Sequence, residues 1–394
     1  MDVDVDVGAN SRADVGIAYL SDLLSRTPSS LHPSIETFER TSSRKLWHQL
    51  SNALQSFLRL PESAPYQIEL YDGFISKHAK RLDQLRLVEM AVGVAQQYDD
   101  GNAALAFLRN LQASVDSPAS VEARLLCTTE AAHFSLLLGD LPTATAALAT
   151  AAKTLETLDN VPSIVHASFY RVSGDLHKSK AEYGGYYKNS LLYLACVEDL
   201  DRDLGKEDRT SRAHDLGIAA LLGETIYNFG ELLMHPILKD LLDTQWEWLH
   251  SLLYAFNSGS LGKFESLLPY FPQEPILASS LDFLRPKICL MSLIDLVFRL
   301  PSSSRVSISF PLIASETQLP IEEVEYLIMK ALSLDLIKGD IDQVDQKARI
   351  TWVQPRVLGN DQIDGLRGRL DEWSKKVVTV GERTITDNQE LMVQ

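Results

Sequence analysis

Cysteine is scarce in this chain: only Cys127, Cys196 and Cys289 occur, far apart and each in apolar, helix-like sequence. That distribution excludes a disulfide framework and fits reduced core thiols of a nuclear or cytosolic protein. The nine histidines never fall at the close spacing of a helical zinc site, and no two cysteines are near one another, so no metal is expected. Phosphate-cradling loops are missing too. Gly262-Lys263 has no glycine five residues before it and is followed by Phe264, and neither Gly-x-Ser-x-Gly nor Gly-x-Gly-x-x-Gly occurs. Neighbouring acids such as Asp99 with Asp100, or Asp342 near Asp345, sit in turn-like sequence where carboxylates serve as caps or hydrated charge. The expectation is a protein that is not an enzyme and carries no cofactor.

Positive charge is also in short supply. Lys and Arg number 37 against 53 Asp and Glu, a formal charge of -16, which disfavours a polyanionic partner. No apolar run approaches the roughly eighteen residues that span a bilayer. The start, with Asp2, Asp4 and Asp6, has no basic region followed by an apolar one, so no secretory signal is expected. What remains is a chain of 394 residues, 45% hydrophobic, able to bury a large core in two or three domains.

The first two thirds are repetitive. Asp100-Gly101, Gly139-Asp140, Gly184-Gly185, Gly223 and Gly259 punctuate Leu- and Ala-rich stretches at intervals of roughly 35 to 45 residues, a spacing that suits stacked antiparallel helix pairs. Ala131 to Leu158 is the clearest unit: Leu136, Leu137 and Leu138 lead into Gly139-Asp140, then Pro142, Ala144, Ala147, Leu148, Ala151 and Leu155 begin the next helix. The period drifts and full consensus anchors are missing, which makes this a degenerate tetratricopeptide-like (TPR-like) solenoid. Tyr183, Tyr186, Tyr187 and Tyr193, like Trp246 and Trp248, are read as inter-helix core rather than a ligand cage. Asp199 to Arg212, densely and oppositely charged, reads as a loop or an exposed helix end.

From Pro286 the hydrophobic period changes. Ile288, Met291, Ile294 and Phe298 form one helical stripe and Leu290, Leu293, Val297 and Leu300 a second, so this helix is expected to be buried on two faces. Val306, Ile308 and Phe310 alternate with serines as a short strand, and Pro311 to Thr317 suits a short helix. Pro320, Glu322 and Glu323 suit a helix start, with Ile321, Val324, Leu327, Ile328 and Ala331 facing inward. Ile337, Gly339 and Ile341, then Ala348, Ile350 and Trp352, alternate with polar residues across Gln343 to Gln346 and predict a hairpin. Helix, strand, two helices and hairpin make a winged helix. A nucleic-acid reader places Lys and Arg at the start of its recognition helix, whereas this one has Glu322, Glu323 and Glu325. Lys338, Lys347, Arg349 and Arg356 make the wing mildly basic, and they are read as an ordinary solvated face.

One more amphipathic helix follows. Ile363, Leu366, Leu370, Trp373 and Val377 fall at steps of three and four among Asp364, Arg367, Arg369, Asp371, Glu372, Lys375 and Lys376. That single stripe requires a cover, either its own winged helix or helices donated by partners.

A helical array running directly into a winged helix resembles the PCI domain family. The residues that carry the resemblance are Lys287-Ile288-Cys289-Leu290-Met291-Ser292-Leu293, the stretch Val306 to Thr317, Pro320-Ile321-Glu322-Glu323-Val324-Glu325, and the wing from Leu336 to Gln343. The likeness covers almost the full length and is greatest to the PCI subunits of the 26S proteasome lid, with the signalosome, a translation initiation factor complex and an RNA-associated PCI protein as alternatives. It implies a mainly α fold: a right-handed α-solenoid over 16–285, a winged helix over 286–356 and a C-terminal helix over 357–380, between an acidic flexible segment 1–15 and a flexible tail 381–394. It further implies a non-catalytic scaffold of the regulatory particle, in cytoplasm and nucleus, needed for lid assembly and for ATP- and ubiquitin-dependent protein degradation. The implied neighbours are other PCI subunits, metalloprotease-type (MPN) subunits met through a C-terminal helix bundle, and a ubiquitin receptor. Two surfaces are therefore expected to carry function. One is the seam Ile363, Leu366, Leu370, Trp373 and Val377. The other is the wing at Lys338, Ile341, Lys347, Arg349 and Ile350, where an unpaired sheet edge would meet a second PCI subunit.

Overall fold

Local sequence chemistry sets the helix boundaries of the first half. Asp140 caps the helix Leu141–Glu156 by accepting from the Thr143 amide at 3.3 Å, Pro142 occupies its first turn, and Gly139, at φ +84°, closes the helix before it. Asp100 does the same for Gly101–Ser114 through the Asn102 amide at 2.9 Å. In the computed structural model, which describes residues 19–115, 120–197, 205–242, 244–301, 304–305, 307–357 and 360–392, the chain falls into two compact units, Met1–Glu198 and Asp199–Gln394.

The first unit stacks helices His32–Ser43, Trp47–Leu58, Gln84–Ala95, Gly101–Ser114, Val121–Leu137, Leu141–Glu156, Ser163–Ser179 and Tyr183–Cys196, with an irregular run of short turns over 61–81. Val121–Leu137 is its spine, packing against the helices on either side and against Gln84–Ala95 and Ser163–Ser179. That position explains why it buries Leu125, Leu126, Cys127, Thr129 and Glu130 on several faces rather than one stripe. Glu130, 3% exposed, takes two 2.7 Å hydrogen bonds from Arg171 and one of 2.6 Å from Ser168, which ties consecutive helix pairs together. Burial pushes the Cys127 thiol up to about 12, leaving it an inert core group. Tyr186, Tyr187 and Tyr193 are buried between helices, as expected of core. Gly184 and Gly185 do not separate helices; both lie inside the first turn of Tyr183–Cys196.

The second unit opens with Lys206–Leu222, so the charged stretch Asp199 to Arg212 becomes helix from Lys206 onward. It continues through Glu247–Asn257 and Leu261–Leu267 to the helix Leu281–Arg299, which buries twelve of its 19 residues. This helix starts five residues earlier than the sequence suggested. Pro286 lies within it, one turn past the position proline usually takes, and removes only the single amide that would bond the Asp282 carbonyl. Gly259 has φ +63° and faces the backbone of Ser292; a Cβ there would overlap that backbone, so only glycine permits the close approach.

The winged helix follows as β1 (Ile308–Ser309), helix Phe310–Thr317, helix Ile321–Ser333, β2 (Ile337–Asp342) and β3 (Lys347–Val353), with sheet order β1-β3-β2 and antiparallel pairing throughout. β1 is shorter than expected because Phe310 already begins the next helix, and Val306 lies outside the described residues. Val324, Leu327, Ile328 and Ala331 point inward, but Ile321 is 46% exposed. A bulge between Lys338 and Gly339 pairs Gly339 with Ile350 and Lys338 with Trp352, leaving Thr351 unmatched. This slip turns Trp352, expected on the inner face with Ala348 and Ile350, outward to 40% exposure. The last helix, Asn360–Met392, runs for 33 residues, past the helix end expected at 380 and through most of the expected tail.

Candidate functional site

The terminal helix carries the most conspicuous surface. All residues from Ile363 to Thr384 are exposed, and the expected seam stands open: Ile363 48%, Leu366 43%, Leu370 55%, Trp373 66% and Val377 53%. Packing of this stripe onto its own winged helix, one of the two covers considered, is therefore not what the chain adopts. Val380, 61% exposed, extends the same three-four spacing by one step and was not read from the sequence. Gly365, Gly368 and Gly381 face open space and cost the helix about 1 kcal/mol each relative to alanine. A helix so weakened, with one apolar stripe, is stabilised chiefly by whatever covers that stripe.

The wing presents a different chemistry. Lys338, Lys347 and Arg349 are exposed, Ile341 is half-buried, and Ile350, 4% exposed, belongs to the module's own core beside Ala348. The three cations are not a free basic patch. Register sets Arg349 opposite Asp340 and Lys347 opposite Asp342, Lys347 Nζ lies 3.3 Å from Asp345, and Lys338 sits 5.1 Å over the Trp352 ring. β2 pairs on one side only, with β3, and supplies the expected sheet edge.

Arg356, grouped with the solvated wing cations from sequence, is instead buried. Its guanidinium pairs with Asp295 at 3.3 Å and donates to the side chain and carbonyl of Asn257. Arg299 joins the same carboxylate. Burial lowers the Arg356 pKa, with Asp295 opposing that shift. The pair fastens the strand exit to the helix Leu281–Arg299 and to the end of Glu247–Asn257.

Lys287 is the residue that sequence reasoning passed over. It is 1% exposed, and its ammonium donates to the carbonyls of Ala220, Leu221 and Gly223 at 2.9, 2.8 and 2.7 Å, closing the C-terminal end of Lys206–Leu222 where carbonyls lack helical partners. Tyr227, Phe229 and Phe283 place ring faces within 5.6 Å. Burial drives its pKa down to about 7, yet three acceptors at these distances match the three donors of the ammonium form. A signal was present: a lysine in a helix with no solvent face must find acceptors.

On the same helix-to-module scaffold, His214 Nε2 donates to the Glu274 carboxylate at 2.9 Å, and its Nδ1 lies 3.7 Å from Asp215. Burial alone would lower its pKa, but hydrogen bonds to Asp215 and Glu274 outweigh it and the net shift is upward.

Comparison with known proteins accords with this geometry. Residues 34–253 match the family described as PSD13 N-terminal repeats, and residues 268–352 match the PCI domain. The chain is 41% identical over 362 residues to the probable 26S proteasome regulatory subunit rpn9 of Schizosaccharomyces pombe, covering 91% of this chain and 93% of that protein. It is 38% identical over 387 residues to the 26S proteasome regulatory subunit RPN9 of Saccharomyces cerevisiae, covering 95% and 98%. The 26S proteasome non-ATPase regulatory subunit 13 homolog A of Arabidopsis thaliana is 39% identical over 347 residues, covering 85% and 89%.

Proposed function

The chain belongs to the family of 26S proteasome regulatory subunits known as Rpn9 or non-ATPase regulatory subunit 13, with PSD13-type repeats followed by a PCI domain, and from that premise we propose that it is a non-catalytic scaffold of the regulatory particle lid. It acts there by docking and is needed for lid assembly and ubiquitin-dependent degradation. The observation that carries this reading is the open seam Ile363, Leu366, Leu370, Trp373, Val377 and Val380, an apolar stripe that the chain itself leaves uncovered. In the assembled particle this stripe enters a helix bundle with metalloprotease-type (MPN) subunits, while the wing, through the β2 edge with Lys338 and Ile341 and through Lys347 and Arg349 on β3, meets a neighbouring PCI subunit. A ubiquitin receptor is a further neighbour, and the complex works in cytoplasm and nucleus. The functional division is a repeat region ahead of Leu281, a winged helix over 281–356 and the terminal helix Asn360–Met392. Against nucleic acid stand the glutamates that open the recognition helix and the aspartates that register places opposite Lys347 and Arg349.

Leu370→Asp combined with Trp373→Asp tests this. Expected is loss of co-purification with the other lid subunits while the isolated chain stays folded; retention of normal co-purification would refute it. Cross-links from Lys338 or Lys347 that reach only this chain would refute the wing contact separately.

A further inference from the structure

The recognition helix Ile321–Ser333 has an outer face for which neither the seam nor the sheet edge accounts. Its buried side is spent on the module core, while Tyr326 at 70% and Met329 at 42% exposure lie outward on one face with Glu322. Gln343 Nε2 donates to Glu325 Oε2 at 3.1 Å, which ties the wing turn to this helix, and Val344, the next residue of that turn, is 94% exposed. Three exposed apolar groups of this size on the face of one small module are the composition of a recognition patch. Its rim selects the occupant. Glu322, Glu323 and Glu325 open the helix and Asp342 and Asp345 frame the wing tip, five carboxylates against Lys330 in the helix's last turn and Lys347, which is already engaged by Asp345. A duplex or other polyanion is repelled by such a rim, and a second copy of this chain, itself at -16, is a poor electrostatic match.

We propose that this face, built from Tyr326, Met329, Val344, Glu322 and Glu325, is a docking site for a Lys/Arg-bearing segment of a partner polypeptide that inserts an apolar side chain between Tyr326 and Met329. The site does not depend on which complex the terminal helix joins. Its test uses the full chain in the Leu370→Asp/Trp373→Asp background, so that the seam cannot contribute, and fluorescence anisotropy with two synthetic peptides. One carries leucines at helical spacing among lysines, the other the same leucines among glutamates. The lysine peptide is expected to bind and the glutamate peptide not. Glu322→Lys with Glu325→Lys, and separately Tyr326→Ala, should each weaken binding on the order of tenfold. A control reversal of equal charge at remote exposed sites, Glu36→Lys with Glu207→Lys, should leave it within about twofold. No binding of the lysine peptide, equal binding of both peptides, or equal loss in the control overturns the proposal.

Discussion

Two helices of the second unit share a stripe of apolar residues at three-four spacing and meet opposite fates. Leu281–Arg299 buries twelve residues and accommodates even a lysine and an aspartate in its interior, because the carbonyls of Ala220, Leu221 and Gly223 and the guanidinium of Arg356 meet them. Asn360–Met392 is longer, at 33 residues, yet nothing between Ile363 and Thr384 is buried. The difference is where partners reside. The first helix finds its partners within the chain; the second carries an apolar seam and three glycines into solvent, and under the proposed function its partners come from other subunits.

Substitutions that separate folding from docking would break or sharpen that contrast. The largest stability loss is expected for Asp295→Ala, which strands the buried Arg356 guanidinium without its carboxylate; urea unfolding should show about 4 kcal/mol lost. Lys287→Met, similar in length and without the ammonium, leaves three buried carbonyls unpaired at a helix end and should cost about 3 kcal/mol in the same measurement. An unchanged midpoint would mean the lysine contributes nothing to holding Lys206–Leu222 against the PCI core.

A smaller effect depends on pH. His214 has a folded-state pKa raised above its unfolded value of 6.5, so the unfolded chain holds fewer protons in that interval and stability falls as pH rises. The contribution is fully present below the unfolded value and is lost as pH climbs through the folded one. The stability difference between the wild-type chain and His214→Gln should therefore shrink by on the order of 1 kcal/mol as pH rises through the folded-state value, the scale of one net intramolecular hydrogen bond. A pH-independent difference would contradict the imidazolium clamp between Asp215 and Glu274. Smallest of all is the expected change for Leu370→Asp with Trp373→Asp in the isolated chain, within about 0.5 kcal/mol, because neither side chain is buried there. A large loss would mean that the seam packs in cis after all.

How much of this was legible followed from the range of the forces involved. The seam could be read because spacing along one helix is a local property, and so could the winged-helix order, where the period shifts from helical to alternating and back. Pro286 misplaced a helix start because proline is tolerated one turn further in than its usual station. Trp352 was assigned to the wrong face because a single bulge at Lys338 and Gly339 inverts the alternation beyond it. The partners of Lys287 and Arg356 were illegible for a different reason. Their acceptors lie more than sixty residues away in sequence, at a helix end and on Asp295, and only the folded chain brings them together. Lys338, Lys347 and Arg349 are the solvated face their sequence suggests, although a count of cations alone omits the aspartates that register places opposite Lys347 and Arg349.

The most direct test of the central claim is backbone hydrogen exchange along Asn360–Met392, measured in the isolated chain and again in the purified regulatory particle. With the seam's partners supplied only by assembly, amides between Ile363 and Val380 should exchange rapidly in the isolated chain and be slowed by about a hundredfold or more in the particle. Strong protection already present in the isolated chain, or none gained on assembly, would contradict the account.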